Sequence, residues 1–142
     1  TLFRSETRMV VVARKGSRHT RAKKLADLKN ESWIYTGNSQ QSGYAARLFE
    51  MHGMPPPPAG AMVNSTLALL SLLGSADLLG LMPEQIISHP LGQNIVQVPV
   101  QEPGLPLTVG IIVRSSSAVS LAIRHFISHL HRAAHQLTKG SV

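Results

Sequence analysis

Apolar and polar positions are grouped along the chain in blocks that predict strands and helices in turn. Continuous apolar or β-branched runs predict strands at residues 9–13, 33–37, 95–100 and 107–113. Pro99 favours an edge position for the third of these strands. An apolar stripe at helical spacing predicts an amphipathic helix over residues 42–52, which Gly53 and the prolines after it end. The pattern favours an α/β fold.

The stretch from residue 60 to residue 87 predicts a strand, helix, strand, helix unit. A short apolar strand leads into Asn64-Ser-Thr66, and the helix that follows at residues 67–73 is too apolar to face water on any side. A glycine-punctuated apolar run then precedes Pro83, a residue favoured where helices begin. We expect this unit to organise the rest of the chain.

The longest predicted helix covers residues 118–137, with Ser117 as its N-cap. Its apolar residues share one face, so we expect that face to lie on a sheet or a partner. The helix also carries two i, i+4 histidine pairs, His125 with His129 and His131 with His135. Neither pair has the glutamate of the zincin motif, and we interpret the histidines as part of a solvated face, with no metal site.

At 142 residues the chain is long enough for one ordinary domain with its own core. It has no cysteine, which excludes disulfides and thiolate chemistry and fits a reducing compartment. No apolar run is long enough to cross a membrane, and the first residues do not form a signal peptide. We therefore expect a soluble cytoplasmic protein, and the absence of an initiator methionine suggests a fragment.

Fourteen lysines and arginines against seven acidic residues give a formal charge of +7. Such a balance raises the question of nucleic-acid binding, because clustered cations release counterions from phosphate. Much of the excess lies in residues 14–24, which contain no aromatic residue and lie near no helix-turn-helix pattern. We interpret this segment as a solvated surface.

Buried strands that alternate with helices predict a doubly wound, mostly parallel sheet, in which ligands bind at the carboxyl ends of the strands. Two predicted strand ends are rich in small polar residues, Thr36 to Gly43 and Asn64 to Thr66. We expect these two loops to be neighbours. The helix that begins near Ser65 offers unpaired N–H groups and hydroxyls to an anion, although N-capping alone by Asn64 or Ser65 explains the same residues.

The order strand, Asn64-Ser-Thr66, apolar helix and Gly74-Ser-Ala-Asp-Leu-Leu-Gly-Leu-Met-Pro83 resembles the second lobe of the effector-binding domain of LysR-type transcriptional regulators. A short helix at Leu25-Ala-Asp-Leu28 also fits that lobe. Where most of the family has a Gly-x-Gly-Ile-Ala turn, this chain has Ala76-Asp-Leu-Leu-Gly80. The resemblance covers almost the whole chain.

The resemblance implies a periplasmic-binding-protein-like lobe at residues 8–102. Residues 103–142 would supply the crossover strand and the C-terminal helix of the first lobe. The first part of lobe one and the winged helix-turn-helix that reads DNA have no counterpart in the sequence. Contact with DNA would therefore require a missing N-terminal domain.

The resemblance further implies that Thr36, Gly37, Asn64, Ser65 and Thr66 contact a small effector, which we expect to be anionic. Effector binding between the lobes would change the geometry of a homodimer or tetramer, and so transcription. We expect no cofactor and no catalysis, because the chain has no nucleophile elbow, P-loop or dinucleotide fingerprint. The alternative is a solute-binding protein of a transport system, which would carry an export signal and a complete first lobe.

Overall fold

The computed structural model describes residues 4–37, 43–113 and 120–139. The chain forms two compact units: the larger is Arg8–Pro106, and the smaller combines the residues before Arg8 with those after Pro106. The chain passes from one unit to the other twice, inside strand β1 (Arg4–Arg14) and inside strand β6 (Leu105–Gly110). These two strands pair with each other. The assignment of the two units to lobes of a regulator stays a prediction.

Strand β1 is the central strand of its sheet, with β4 (Gly80–Pro83) on one side and β5 (Ile95–Gln97) on the other. Both ladders are antiparallel. The run at residues 9–13 is buried, which confirms the strand predicted there. Strand β5 lies at the end of this path, as Pro99 predicts, but it is shorter than the predicted strand.

The parallel part of the fold lies in β2 (Trp33–Thr36) and β3 (Ala59–Val63), which form a parallel ladder. A parallel bridge between Trp33 and Leu79, with a 2.7 Å hydrogen bond from the Ile34 N–H to the Leu79 carbonyl, connects β2 to the start of β4. Because β4 and β5 both oppose β1, strands β2 to β5 run in one direction, opposite to β1. The prediction of a mostly parallel α/β fold is confirmed.

Helices cover both faces of this sheet. Helix α1 (Tyr44–Met51) packs Phe49 against Trp33, with the ring centroids 5.3 Å apart and the rings nearly perpendicular. Neighbouring strand residues point to opposite faces, so Ile34 faces away from α1. On that side α2 (Thr66–Ser75) contributes to a single buried cluster, whose members are Val10, Val12, Ile34, Leu69, Leu73, Met82 and Ile95.

The polar atoms of the two large aromatic residues on the α1 side are hydrogen-bonded. The indole N–H of Trp33 donates to the Leu28 carbonyl at 3.1 Å, and the Tyr35 hydroxyl donates to the Pro57 carbonyl at 2.8 Å. Both bonds are buried, where an unpaired donor would be costly. The proline-rich connector before β3 is thereby fixed to β2.

One expectation about α2 is wrong. The sequence suggests a helix buried on every side, but only Leu69 and Leu73 are buried, and Leu67 is 73% exposed. Residues four positions apart lie on one helical face, and that face alone meets the sheet. The remaining leucines are exposed or half-buried.

Helix α4 (Leu121–Lys139), in the smaller unit, begins three residues later than predicted. The Ser120 hydroxyl accepts a 3.3 Å hydrogen bond from the Ile123 N–H, which places the cap at Ser120. The predicted cap, Ser117, lies outside the described residues. Within the smaller unit Ile127 is buried, whereas Phe126 is 63% exposed.

The other elements are short. Helix α3 (Glu84–Ile87) follows Pro83, as predicted, and 3₁₀ helices cover Arg18–Arg21, Leu25–Leu28 and Pro90–Gly92. Over the three described stretches of chain, no helix combines the length and hydrophobicity that a membrane span requires. In the same stretches no group of three or more histidine and acidic side chains is placed to hold a metal ion.

Candidate functional site

The carboxyl ends of β2 and β3 lie side by side. Thr36 is the register partner of Val63, and the Gly37 N–H donates a 3.0 Å hydrogen bond to the Val63 carbonyl. Asn64 is the next residue of that chain segment, so the two polar strand ends predicted from the sequence are neighbours. Residues 38–42 of the first loop lie outside the described residues.

Gly37 directly follows β2 and has a backbone φ of 116°. Residues with a Cβ rarely adopt this conformation, whereas glycine adopts it at little steric cost. The space where a Cβ would lie is open, so the requirement comes from the backbone and not from crowding. Gly37 therefore fixes the direction in which the chain leaves the strand next to Asn64.

Ser65 is the N-cap of α2. Its extended backbone precedes the first helical residue, and its hydroxyl accepts from the Ala68 N–H at 3.5 Å. Of the two capping residues that the sequence allows, the structure selects Ser65. Asn64 and Thr66 are exposed, and their side chains form no hydrogen bond with any described residue.

The electrostatic character of this corner comes from backbone dipoles. The first N–H groups of α2 lack intrahelical acceptors and lie at the positive end of the helix dipole. No acidic residue occupies the first turn of α2 or of α1. The corner can donate hydrogen bonds to a small polar group, and negative charge on that group would be favoured there.

A second helix start belongs to the same sheet edge; the sequence predicts this helix from residue 42, but the analysis missed the glycine that caps it. Helix α1 begins after the loop that follows β2, and Gly43 is its N-cap. A Cβ at Gly43 would lie 2.6 Å from the ring of Tyr35, so a larger residue would displace that buried ring. The close contact between Gly43 and the ring of Tyr35 could not be predicted, because it produces no periodic pattern in the sequence.

A polar cluster at the opposite end of α2 was also missed. The Asp77 carboxylate accepts from the Ser17 hydroxyl at 2.5 Å and from the Arg18 guanidinium at 3.3 Å. Buried His19 lies 3.7 Å from Asp77 and 3.9 Å from Glu31. The hydrogen bond from Ser17, followed by the nearby positive charges, holds the pKa of Asp77 below its ordinary value against an opposing effect of desolvation.

This polar cluster fixes the turn at residues 76–80, the place where the sequence differs from the Gly-x-Gly-Ile-Ala turn of the family that it resembles. Asp77 lies two residues after the end of α2, and Ser17 and His19 belong to the segment after β1, so two distant segments are joined. In the sequence Asp77 stands out as a lone aspartate among leucines and glycines. No spacing rule, however, pairs an aspartate with a serine sixty positions away. Its contacts are those of a structural ion pair.

The larger unit also contains a small crevice, which is lined by other residues than the corner of Thr36, Gly37 and Asn64 to Thr66. Its lining includes Val10, Leu25, Leu48, Val98 and Glu102. The cavity volume is about 20 Å³, which is close to the space that one water molecule needs. It is too small for an organic ligand, and none of the predicted site residues lines it.

The family model of the LysR substrate binding domain matches residues 2–135. The chain belongs to this family. Its fold, with helices on both faces of a mostly parallel sheet, is the periplasmic-binding-protein-like fold of LysR substrate-binding domains. No curated protein sequence matches the chain.

Solved structures of LysR-family domains have the same fold at low sequence identity. The CcmR regulatory domain from Synechocystis, in complex with 2-PG, has a TM-score of 0.70 at 13% identity over 93% of this chain and 66% of its own. The effector-binding domain of QuiR, in complex with shikimate, has a TM-score of 0.67 at 18% identity over 93% and 63% of the two chains. The effector domain of AmpR from Pseudomonas aeruginosa has a TM-score of 0.67 at 17% identity over 96% and 65%.

The LysR-family chain thus spans between about half and two thirds of the solved relatives that it matches. The family and these neighbours are domains of transcriptional regulators, and this is the class to which the sequence was assigned. The identities are low enough that the comparison establishes the fold alone.

Proposed function

We propose that this chain is the effector-sensing part of a LysR-type transcriptional regulator and that it binds a small organic anion at the corner formed by Thr36, Gly37, Asn64, Ser65 and Thr66. The observation that carries the proposal is the hydrogen bond from Gly37 to Val63. It places the polar end of β2 beside the residues that begin α2. One small ligand can contact both.

The donors at this corner support an anionic ligand. Thr66 contributes a hydroxyl, Asn64 an amide, and α2 the unpaired N–H groups of its first turn. No carboxylate in the first turns of α1 and α2 opposes negative charge. Two structural relatives are in complex with small molecules, the CcmR regulatory domain with 2-PG and the effector-binding domain of QuiR with shikimate, which supports a ligand site in this fold.

In this proposal Arg8–Pro106 is the second lobe, and the smaller unit is part of the first lobe. The effector binds between the lobes and favours one of two arrangements of the lobes, open or closed. This change alters the geometry of a homodimer or tetramer in the cytoplasm. DNA is contacted through a separate N-terminal domain. A tenfold difference in effector affinity between two closures shifts their equilibrium by about 1.4 kcal/mol.

The test is isothermal titration calorimetry of the full-length protein with a panel of small carboxylates, phosphates and sulfonates. For an anion that binds, Thr66→Val should weaken binding by roughly 5-fold to 30-fold, since one hydrogen bond is worth about 1–2 kcal/mol. Asn64→Asp should weaken it more, because the new charge would repel the ligand while the side chain keeps its shape.

Ser71→Ala is the matched control, because Ser71 is exposed on the same helix, about one and a half turns from its start. Its affinity should equal that of the parent protein. If Asn64→Asp and Thr66→Val both bind every active anion as tightly as the parent, the ligand contacts other residues and the proposed site is wrong. Circular dichroism of each variant checks that α2 still forms.

A further inference from the structure

We propose that the exposed cations of residues 15–29 form a binding surface for the phosphate backbone of duplex nucleic acid, without recognition of base sequence. We call this set the basic surface; it consists of Lys15, Arg21, Lys23, Lys24 and Lys29. The inference concerns another part of the larger unit than the effector corner. It does not depend on whether an effector binds there.

Charge is concentrated in this segment. Residues 15–29 contain six lysines and arginines and one acidic residue, Asp27. The other 127 residues contain eight lysines and arginines and six acidic residues, so the positive excess of the chain comes chiefly from this segment. A stripe of cations on one segment is the electrostatic footprint expected of phosphate binding.

The segment is held in place and is not a loose tail. Four of its side chains are buried and alternate in sequence with the cations: Ser17, His19, Leu25 and Leu28. The Lys15 N–H donates to the Asn94 carbonyl at 3.0 Å, and the Lys23 carbonyl accepts from the Gln101 N–H at 2.8 Å. Because the buried residues face the body of the unit, the cations between them face solvent.

The charges of the basic surface are not neutralised by neighbouring carboxylates in the described residues. Arg18 is ion-paired with Glu31 at 2.7 Å and with Asp77 at 3.3 Å. In contrast, none of the five members of the basic surface lies within ion-pair distance of a carboxylate in the described residues. The carboxylate of Asp27, the acidic residue within the segment, accepts hydrogen bonds from the backbone N–H groups of Lys23 and Lys24.

The composition of the segment favours a duplex backbone over single-stranded nucleic acid. Single-stranded nucleic acid is generally held by stacking on aromatic side chains, and residues 15–29 contain none. Lysine is a point charge that suits phosphate and carries no base specificity without a groove-reading element. The expected binding is therefore weak, independent of sequence and strongly dependent on salt.

The experiment measures binding of the 142-residue chain to a random-sequence duplex by fluorescence anisotropy over a range of salt concentrations. With about five phosphate contacts, the affinity should fall by roughly 10² to 10³-fold between 50 and 200 mM salt. Arg21→Gln combined with Lys23→Gln should lower the magnitude of the log–log salt slope by about two. A polyglutamate of equal charge should not compete at concentrations where unlabelled duplex does.

Arg47→Gln combined with Arg124→Gln is the matched control, because it removes the same charge from exposed helical positions elsewhere. It should leave the slope unchanged. Equal losses in the two double variants would show that only net charge matters and would overturn the assignment to this surface. Effective competition by polyglutamate would overturn the assignment to nucleic acid, as would an absence of salt-dependent binding. The fluorescence of Trp33 and circular dichroism check that each variant is folded.

Discussion

The hydroxyl of Ser17 donates a 2.5 Å hydrogen bond to the carboxylate of Asp77, and this bond joins the turn after β1 to the turn after α2. The two residues are sixty positions apart, so the bond closes a long loop of chain. Arg18 and Arg14 add positive charge on the same carboxylate, at 3.3 and 3.8 Å. The ionised form of Asp77 is therefore the form that the folded protein favours.

Stability should fall in acid as Asp77 is protonated. Because folding lowers the pKa of Asp77 from 3.8, its stabilising contribution is complete above that value and is lost as the pH falls through the lower pKa of the folded state. Asp77→Asn should lose about 0.5–1 kcal/mol at pH 7, a modest figure because the side chain is 38% exposed.

Urea unfolding from pH 7 down to pH 2.5 measures this contribution. The difference between the parent and Asp77→Asn should shrink toward the acid end, whereas Glu50→Gln, an exposed control, should follow the parent throughout. Ser17→Ala should raise the pKa of Asp77 toward its ordinary value, as followed by NMR of the carboxyl carbon. A difference that stays constant over the whole pH range would contradict the ion-pair explanation.

Phe49→Ala should destabilise the larger unit by about 3–5 kcal/mol, because it removes a buried ring and leaves a cavity. Phe49 is fully buried against Trp33, the only tryptophan in the chain. The emission of Trp33 should therefore shift to the red at denaturant concentrations where the parent remains folded. Met51→Ala, on the same helix but 45% exposed, should cost less than about 1 kcal/mol and leave the emission unchanged.

Gly37→Ala should cost about 1–3 kcal/mol, because alanine is strained at a φ of 116° even though its Cβ has room. Gly74→Ala is the opposite case: Gly74 lies in α2, and its added Cβ would make an ordinary 3.6 Å contact with Asn94. That substitution should be neutral or stabilise by up to about 1 kcal/mol. Thermal melts of both variants decide the matter, and equal melting temperatures would refute a backbone requirement at Gly37.

The sequence predicts the order of elements from short-range signals, and it predicts the meeting of the two strand ends from a general rule for parallel sheets. The apolar run that contains Val10 and Val12 identifies β1, and the rule for parallel sheets places Thr36 beside Asn64. The pairing of Asp77 with Ser17 could not be foreseen, because no local pattern connects the two residues. The start of α4 was misplaced since several serines in a row can each act as a cap.

The burial of α2 could not be derived from hydrophobicity alone. The segment that begins at Leu67 is apolar at nearly every position, so it has no polar face to indicate which side meets water. The sheet decides that side, because it offers one surface and receives Leu69 and Leu73 only. The leucines left exposed are an effect of tertiary structure that the helical period cannot reveal.

The same substitution at two positions of α2 should therefore have opposite consequences. Leu73→Ala should cost about 2–5 kcal/mol, because Leu73 is fully buried against the sheet. Leu67→Ala should change stability by no more than about 0.5 kcal/mol, because 73% of the residue is already exposed to solvent. Urea unfolding of both variants at pH 7 compares them directly. A loss at Leu67 close to that at Leu73 would mean that this side of α2 is covered in the protein in solution, as the sequence alone suggests.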